Sequence, residues 1–381
     1  MSGEHGCVNQ IELLGRSYAG VSVKEYHIVE TGDIVYTKSP LKANPYGIIK
    51  ENKGKFGIVS TLYAVYKTTA EGHPAFFDHY FSRDYNLNSY LQPIVRKGAK
   101  NDMKVNNHAV LGGEIFVPIL EEQQKIANCL GSLDGLIAAE GRKLAALRDH
   151  KRGLMQQLFP QPGQTQPRLR FPEFRGKGEW DESPLGKLLS RKPEYGVNAA
   201  AVPFSEDLPI YIRITDIDDE GQFAQDNRVS VDIEATEENY LVEGDIVLAR
   251  TGASVGKSYR YRQKDGRLVF AGFLIRVRPN IKKLVPDFLS NYLTTWRYWD
   301  WVRVNSARSG QPGINGSEYA SMPVPTPPAG PKGNELAEQR RIADCFSSLD
   351  TRITAQAAKI ESLKQHKRGL MQQLFPAPEV S

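Results

Sequence analysis

LEEQQKIANCLGSLDGLIAAEGRKLAALRDHKRGLMQQLFP at residues 120–160 returns as LAEQRRIADCFSSLDTRITAQAAKIESLKQHKRGLMQQLFP at residues 336–376. The copies align at a constant offset of 216 with 24 of 41 positions identical, including the unbroken run HKRGLMQQLFP, so the chain is one plan used twice. In the first copy Ile126, Leu130, Leu133, Ile137, Glu140, Leu144, Leu147, Lys151, Leu154 and Leu158 are spaced alternately four and three, the heptad seam of a coiled coil. The second copy repeats it as Ile342, Phe346, Leu349, Ile353, Gln356, Ile360, Leu363, Lys367, Leu370 and Leu374. Each copy runs without an internal proline to Pro160 or Pro376, which predicts a helix roughly 57 Å long at about 1.5 Å per residue. Two unrelated amphipathic helices would not place polar interruptions at the same seam positions. The helices are therefore predicted to pack on each other, with Glu140 and Gln356 fixing register and orientation.

Working outward, each helix follows a mixed, strand-rich segment punctuated by Gly and Pro. GDIV at Gly32–Val35 recurs at Gly244–Val247, each after a short apolar and acidic lead, and reads as a turn entering a buried strand. A second apolar strand is predicted over Gly57–Tyr66 in one half and Leu268–Val277 in the other, and each half closes on an apolar-Pro element, Ile115–Pro118 and Met322–Pro325. The predicted fold is α+β: two mixed strand-rich domains separated by a pair of long, antiparallel coiled-coil helices with internal pseudo-twofold duplication. The boundaries are 1–119 for the first domain, 120–160 for the first spacer helix, 161–180 for a Pro-, Gly- and Gln-rich linker, 181–335 for the second domain, 336–376 for the second spacer helix and 377–381 for a tail. Upstream of GDIV the second half carries 77 residues counted from Pro167 and the first only 31, so the first domain reads as shortened at its N-terminus.

A length of 381 residues suits two or three domains, and 40% hydrophobic with 24% charged residues excludes wholesale disorder and fibrous architectures. Three cysteines without zinc-site spacing and the lack of an apolar run of about 20 residues point to a reducing cytoplasm, with no membrane partner and no metal. The net charge of +5 permits a polyanionic partner without demanding one. Segment charge says more: Glu206–Asp245 has 13 acidic against two basic residues, and Arg250–Lys283 ten basic against one acidic, so the second domain has two electrical faces. Within the basic stretch Tyr259 and Tyr261 alternate with Arg260 and Arg262, which on a strand puts the aromatics on one face and the arginines on the other. A donor-rich basic surface is what phosphate neutralisation and groove readout need, whereas a strand merely solvated and balanced by its acidic neighbour is the plain alternative.

Catalytic motifs fail on their spacing. TGASVGKS at Thr251–Ser258 leaves three residues, not four, between its glycines, and strand and turn follow where a phosphate loop needs a helix. Asn44-Pro45-Tyr46 lacks the second proline of an amino-methyltransferase site and reads as a turn. The seven histidines are dispersed, with no pair at metal spacing and no Ser/His/Asp set. A loop of small residues carrying Arg250, Thr251, Gly252, Ser254 and Lys257 at a strand end instead suits close approach to a DNA backbone or base edge.

Together these residues resemble the DNA-specificity (S) subunit of type I restriction-modification enzymes. The likeness rests on the duplicated EQ-x-x-IA-x-C-x-x-SLD-x-x-I cores from Glu122 and Glu338 with their HKRGLMQQLFP ends, on RLRFPEFRGKGEW at Arg168–Trp180, on GDIVLARTGASVGK from Gly244 and on SGQPGIN from Ser309. It implies a non-catalytic chain in which each target recognition domain reads one half of a split double-stranded DNA sequence and the paired helices set the gap. It implies as partners two adenine-N6 methyltransferase (M) subunits and two ATP-dependent restriction (R) subunits, which carry the S-adenosylmethionine, ATP and magnesium; this chain needs no cofactor of its own. By position, the implied DNA contacts are Arg250, Thr251, Gly252, Ser254, Lys257, Ser309, Gln311 and Asn315, with Lys38, Ser39, Lys42 and Lys55 as first-domain counterparts; the alternating basic strand adds Arg260 and Arg262 as candidates. An orphan specificity chain serving a methyltransferase without a nuclease, and a coiled-coil scaffold that binds only protein, are the alternatives.

Overall fold

The structure is a computed structural model that describes residues 6–16, 22–40, 44–97, 103–218, 220–224, 226–307, 310–332 and 334–375. The mixed α+β architecture read from the repeats is present. Long helices occupy Leu120–Leu158 and Ala337–Leu374. The chain divides into two compact units, Met1–Lys143 with Gln356–Ser381, and Leu144–Ala355, so the division falls inside both helices rather than at their ends.

Within each unit the helix segments run antiparallel. In the first, Lys367 pairs with Asp134, and Gln356 Nε2 donates to the Glu140 side chain at 2.6 Å and to its backbone carbonyl at 3.1 Å. In the second, Lys151 pairs with Asp350, and the Phe159 and Phe346 rings stack at 6.4 Å. Asp350 and Lys367 are the repeat equivalents of Asp134 and Lys151, so one ion pair is written twice. The seam follows the heptads: Ile126, Leu130, Ile342, Phe346, Leu349, Ile353 and Ile360 are buried, and Leu133, Ile137, Leu144, Leu147, Leu154, Leu363 and Leu370 are half-buried.

In the first unit GDIV delivers the central strand Ile34–Thr37, flanked antiparallel by Ile48–Glu51 and Tyr63–Tyr66. Val35 and Tyr36 are fully buried, as an apolar strand at the middle of a sheet requires. The stretch read as one strand over Gly57–Tyr66 is two: Gly57–Val59 pairs with His27–Val29, and a turn closed by Tyr63 N donating to Ser60 O at 3.0 Å sends Tyr63–Tyr66 to the three-stranded sheet. Leu268–Val277 divides in the same way. Leu268–Phe270 joins the sheet of Ala201–Pro203, Val229–Val231 and Ile210–Ile212, while Leu274–Val277 pairs with Ile246–Ala249 in the sheet that also holds Ser258–Arg260 and Glu194–Tyr195.

Two devices fasten each domain to helix segments of its own unit. Gln123 Oε1 accepts from His73 N at 2.9 Å while its Nε2 donates to the carbonyls of Glu71 and Pro118. Gln339 Oε1 accepts from Val285 N at 2.9 Å and its Nε2 donates to the Lys283 carbonyl. Phe375 packs edge-on against Phe76 and Tyr80 at 5.4 and 5.6 Å, and its repeat equivalent Phe159 packs at a tilt against Phe288 and Tyr292 at 5.1 and 6.0 Å. Burying such rings is among the largest single apolar contributions a domain has.

The halves differ where the lead differs. Pro323–Thr326 is a strand paired with Asp181–Pro184, but Ile115–Pro118 forms no strand among the described residues, and Phe116 is 95% exposed. Residues 161–180, read as a linker, are anchored at two points: Arg170 makes a buried two-point pair with Glu338 at 2.7 and 2.8 Å, and Trp180 is buried against Phe159. A flexible segment would leave the Glu338 carboxylate buried without its countercharge. The tail 377–381 and Pro376 lie outside the described residues.

His79, buried on helix Pro74–Phe81, faces Asp134 at 4.0 Å in the first unit. Burial, and then the Lys367 and Lys53 ammonium groups, push its imidazole down from 6.5 to about 4 against the opposing pull of Asp78 and Asp134. The folded chain thus holds His79 neutral while the unfolded chain protonates it, and stability falls as pH drops from about 6.5 toward 4. Urea midpoints for the first unit should decline across that window, and a His79→Gln variant should show a flatter decline.

Candidate nucleic-acid interface

The Arg250–Lys257 loop leaves the end of strand Ile246–Ala249 and is held on all sides by backbone. Arg250 N donates to Phe273 O at 3.0 Å, Ile314 N to Arg250 O at 2.9 Å and Gly252 N to Pro312 O at 3.0 Å, and Thr251 bridges Gly313. The loop therefore shares one sheet end with the 310–315 segment and with the 271–273 turn. Gly256 N donates back to Ala249 O at 3.0 Å, closing the loop at its base. Gly256 has φ +88°, and a Cβ there would lie 2.7 Å from Val302, so only glycine fits on both counts. Beneath the loop Tyr298 donates its hydroxyl to the Gly256 carbonyl and Tyr319 to the Ala249 carbonyl. Burial pushes both phenols up, which keeps both as donors. Above it the Arg250 guanidinium lies over the Tyr195 ring at 4.9 Å, while the Tyr195 hydroxyl accepts from Gly316 N at 3.0 Å. Stacking on an aromatic face orients a guanidinium and leaves its edge donors available.

The predicted residues separate into groups. Arg250, Thr251, Gly252 and Gln311 meet at this sheet end; a Cβ built on Gly252 would lie 3.1 Å from Gln311 Nε2. Ser254 lies in the short turn Gly252–Ser254 of the same loop. Lys257 instead donates its ammonium to the Ile217 carbonyl at 2.9 Å, anchoring the loop from behind. Asn315 caps helix Gly316–Ser321, its side chain accepting from Glu318 N at 2.9 Å.

Arg260 and Arg262 depart from the prediction. Tyr259 and Tyr261 do take the buried face, but register sets Arg260 opposite Ile246, at the far end of the strand from Arg250. There Arg260 pairs with Glu243 at 3.1 Å and Asp287 at 2.9 Å, and Arg262 approaches Asp287 at 3.8 Å. These carboxylates absorb charge that the sequence suggested for a polyanion. In the first unit Lys38 and Ser39 follow strand Ile34–Thr37 as Arg250 and Thr251 follow theirs, and Lys38 N donates to Leu62 O at 3.0 Å. Lys55 lies beyond Glu51, which pairs with Ile34, and so sits at the opposite end of the sheet from Lys38. Lys42 and Ser309 fall outside the described residues. Tyr195 was missed, since one aromatic 55 residues before the loop carries no local signal. Among the described residues no group of three or more His, Cys, Asp or Glu side chains could hold a metal ion, and no helix is long and apolar enough to cross a membrane.

Residues 184–365, which contain this loop and its supports, match the family model of the type I restriction modification DNA specificity domain. The matched residues make up a little under half of the chain. A putative type I restriction enzyme MjaX specificity subunit from Methanocaldococcus jannaschii is 29% identical over 138 residues, 35% of this chain and 31% of the relative, so the match spans about a third of that relative's length. Two solved structures are similar to this chain in fold. One is the type I restriction-modification S subunit from M. genitalium (TM-score 0.55, 15% identity, 92% of this chain and 84% of that one). The other is a chain from work on complex assembly and conformational transition of the type I R-M system (TM-score 0.51, 19% identity, 93% and 84%).

Replacing Gly256 with Ala forces both a left-handed backbone and a clash with Val302, and should destabilise the second unit by about 1–3 kcal/mol. Thermal unfolding checks this, and amide exchange should quicken in residues 250–257 first.

Proposed function

We propose that the chain is the DNA-reading subunit of a type I restriction-modification assembly, itself without catalytic activity and working in the cytoplasm. The observation that carries the reading is the Arg250 guanidinium, stacked on Tyr195 at a sheet end held by backbone and tyrosine hydroxyl hydrogen bonds, within residues that match the DNA-specificity domain model. Its geometry suits two-point donation to guanine O6 and N7 in the major groove. The first unit, with Lys38 at the equivalent strand end, reads the second half of a split target.

The duplicated ion pair, Asp134 with Lys367 and Asp350 with Lys151, supports the same relation of helix to helix within each unit. Such a relation suits two copies of one partner. Those partners are two adenine-N6 methyltransferase subunits, which bring S-adenosylmethionine, and two restriction subunits, which bring ATP and magnesium.

The chain alone should neither methylate nor cleave duplex DNA, and adding its methyltransferase subunit should create N6-methyladenine at a split motif, read by mapping methylated adenines in cells expressing both. Turnover by the isolated chain would refute the reading. Arg250→Ala should remove about 1–3 kcal/mol of discrimination at one position of one half-site and leave the other half-site unchanged.

The paired helices act as the ruler between half-sites. One heptad inserted between Glu140 and Leu144, matched by one between Gln356 and Ile360, adds about 10 Å of helix. The methylated motif should keep its half-site bases and widen its gap by about three base pairs. An unchanged gap in an active variant would refute the ruler.

A further inference from the structure

Phe273 sits at the turn between strands Leu268–Phe270 and Leu274–Val277, where its neighbours Phe270 and Leu274 are buried and it alone is 60% exposed. Its backbone is fixed from three directions: its carbonyl accepts from Arg250 N, Leu274 N donates to Ala271 O at 2.8 Å, and Gly272 N donates to Val197 O at 2.8 Å. The ring thus projects from a rigid turn beside the Arg250 loop. The first unit repeats the arrangement with different residues. Lys38 N donates to the carbonyl of Leu62, and Leu62 is 59% exposed. In both domains the basic residue that follows the GDIV strand is backbone-paired to a turn residue whose large apolar side chain faces solvent. An isolated exposed apolar residue needs no explanation, but the same one at equivalent places in two diverged domains does.

We infer that Phe273 and Leu62 are base-reading residues, each contacting the C5-methyl group of a thymine in the half-site its domain reads. In the major groove the thymine methyl is the apolar feature that a base edge offers, and it lies beside acceptors that a neighbouring guanidinium or ammonium engages. A rigid turn suits this contact, since little side-chain freedom remains to be lost on binding. The inference rests on the DNA-reading function proposed above and specifies the chemistry of that site.

The test uses the full chain assembled with its methyltransferase subunits. Duplexes carrying the split target are selected from a random-sequence pool, and each thymine is then replaced in turn by deoxyuridine, which lacks only the methyl. For the wild-type assembly one deoxyuridine in each half-site should weaken binding about fourfold, the factor carried by one methyl group withdrawn from water. Phe273→Ala should abolish that effect at its own half-site and leave the other intact; Leu62→Ala should do the converse. Phe273→Leu should keep the sensitivity, which separates apolar contact from a merely structural role. A Phe273→Ala variant that binds more weakly yet keeps every deoxyuridine effect would overturn the inference, as would half-sites without a sensitive thymine. Failure to select any sequence at all would instead remove the DNA-reading function, and this inference with it.

Discussion

The antiparallel register of the two long helices is the constraint on which the rest of the chain depends. A heptad seam of Leu and Ile is nearly indifferent to sliding by one repeat, because every heptad offers the same apolar face. The polar seam positions are not indifferent. Asp134 meets Lys367 and Lys151 meets Asp350 only in one register, and Glu140 meets Gln356, its own repeat equivalent, only there. A slip by one heptad would leave these groups against apolar neighbours, with the desolvation cost of half-buried charges unrelieved. Exposed ion pairs add little stability, so their value here is selection among registers rather than strength.

The second domain shows how charge is apportioned within one fold. The basic stretch after GDIV looks uniform in one dimension, yet strand register sends its members to different ends of the sheet. Arg260 is met by Glu243 and Asp287, and Arg278 is taken by the fully buried Asp245 at 2.6 and 2.8 Å. Lys257 is spent on a carbonyl. What is left presented at the loop end is Arg250, oriented by an aromatic ring. Neutralising half of a basic run in place leaves a directional donor where a diffuse positive face would attract any phosphate.

The helices, their pairing and the duplicated plan were legible because heptad spacing is local and the repeat is nearly literal. The GDIV strands were legible for the same reason: four apolar-flanked residues after a turn become a central strand in both units. Breaks inside Gly57–Tyr66 and Leu268–Val277 were not, since each is a tight turn within an apolar run, marked by no Pro or Asn and decided by which sheet each piece can join. Residues 161–180 carried linker composition, but Arg170 and Trp180 find buried partners on segments 168 and 21 residues away, Glu338 and Phe159, which composition cannot anticipate. The loop Arg250–Lys257 was found from its small residues, and its supports Tyr195, Tyr298 and Tyr319 were not, because they converge from three separate stretches of chain.

Gln123 and Gln339 hold their domains solely through main-chain amides and carbonyls. Such a fastening is blind to the side chains of the segment it grips: His73 and Glu71 in one unit and Val285 and Lys283 in the other satisfy the same glutamine. The junction between scaffold and domain therefore imposes a backbone shape and almost no composition. Divergence in the loops beyond it can accumulate without retuning the helices, so one scaffold tolerates many different domains that keep only that shape.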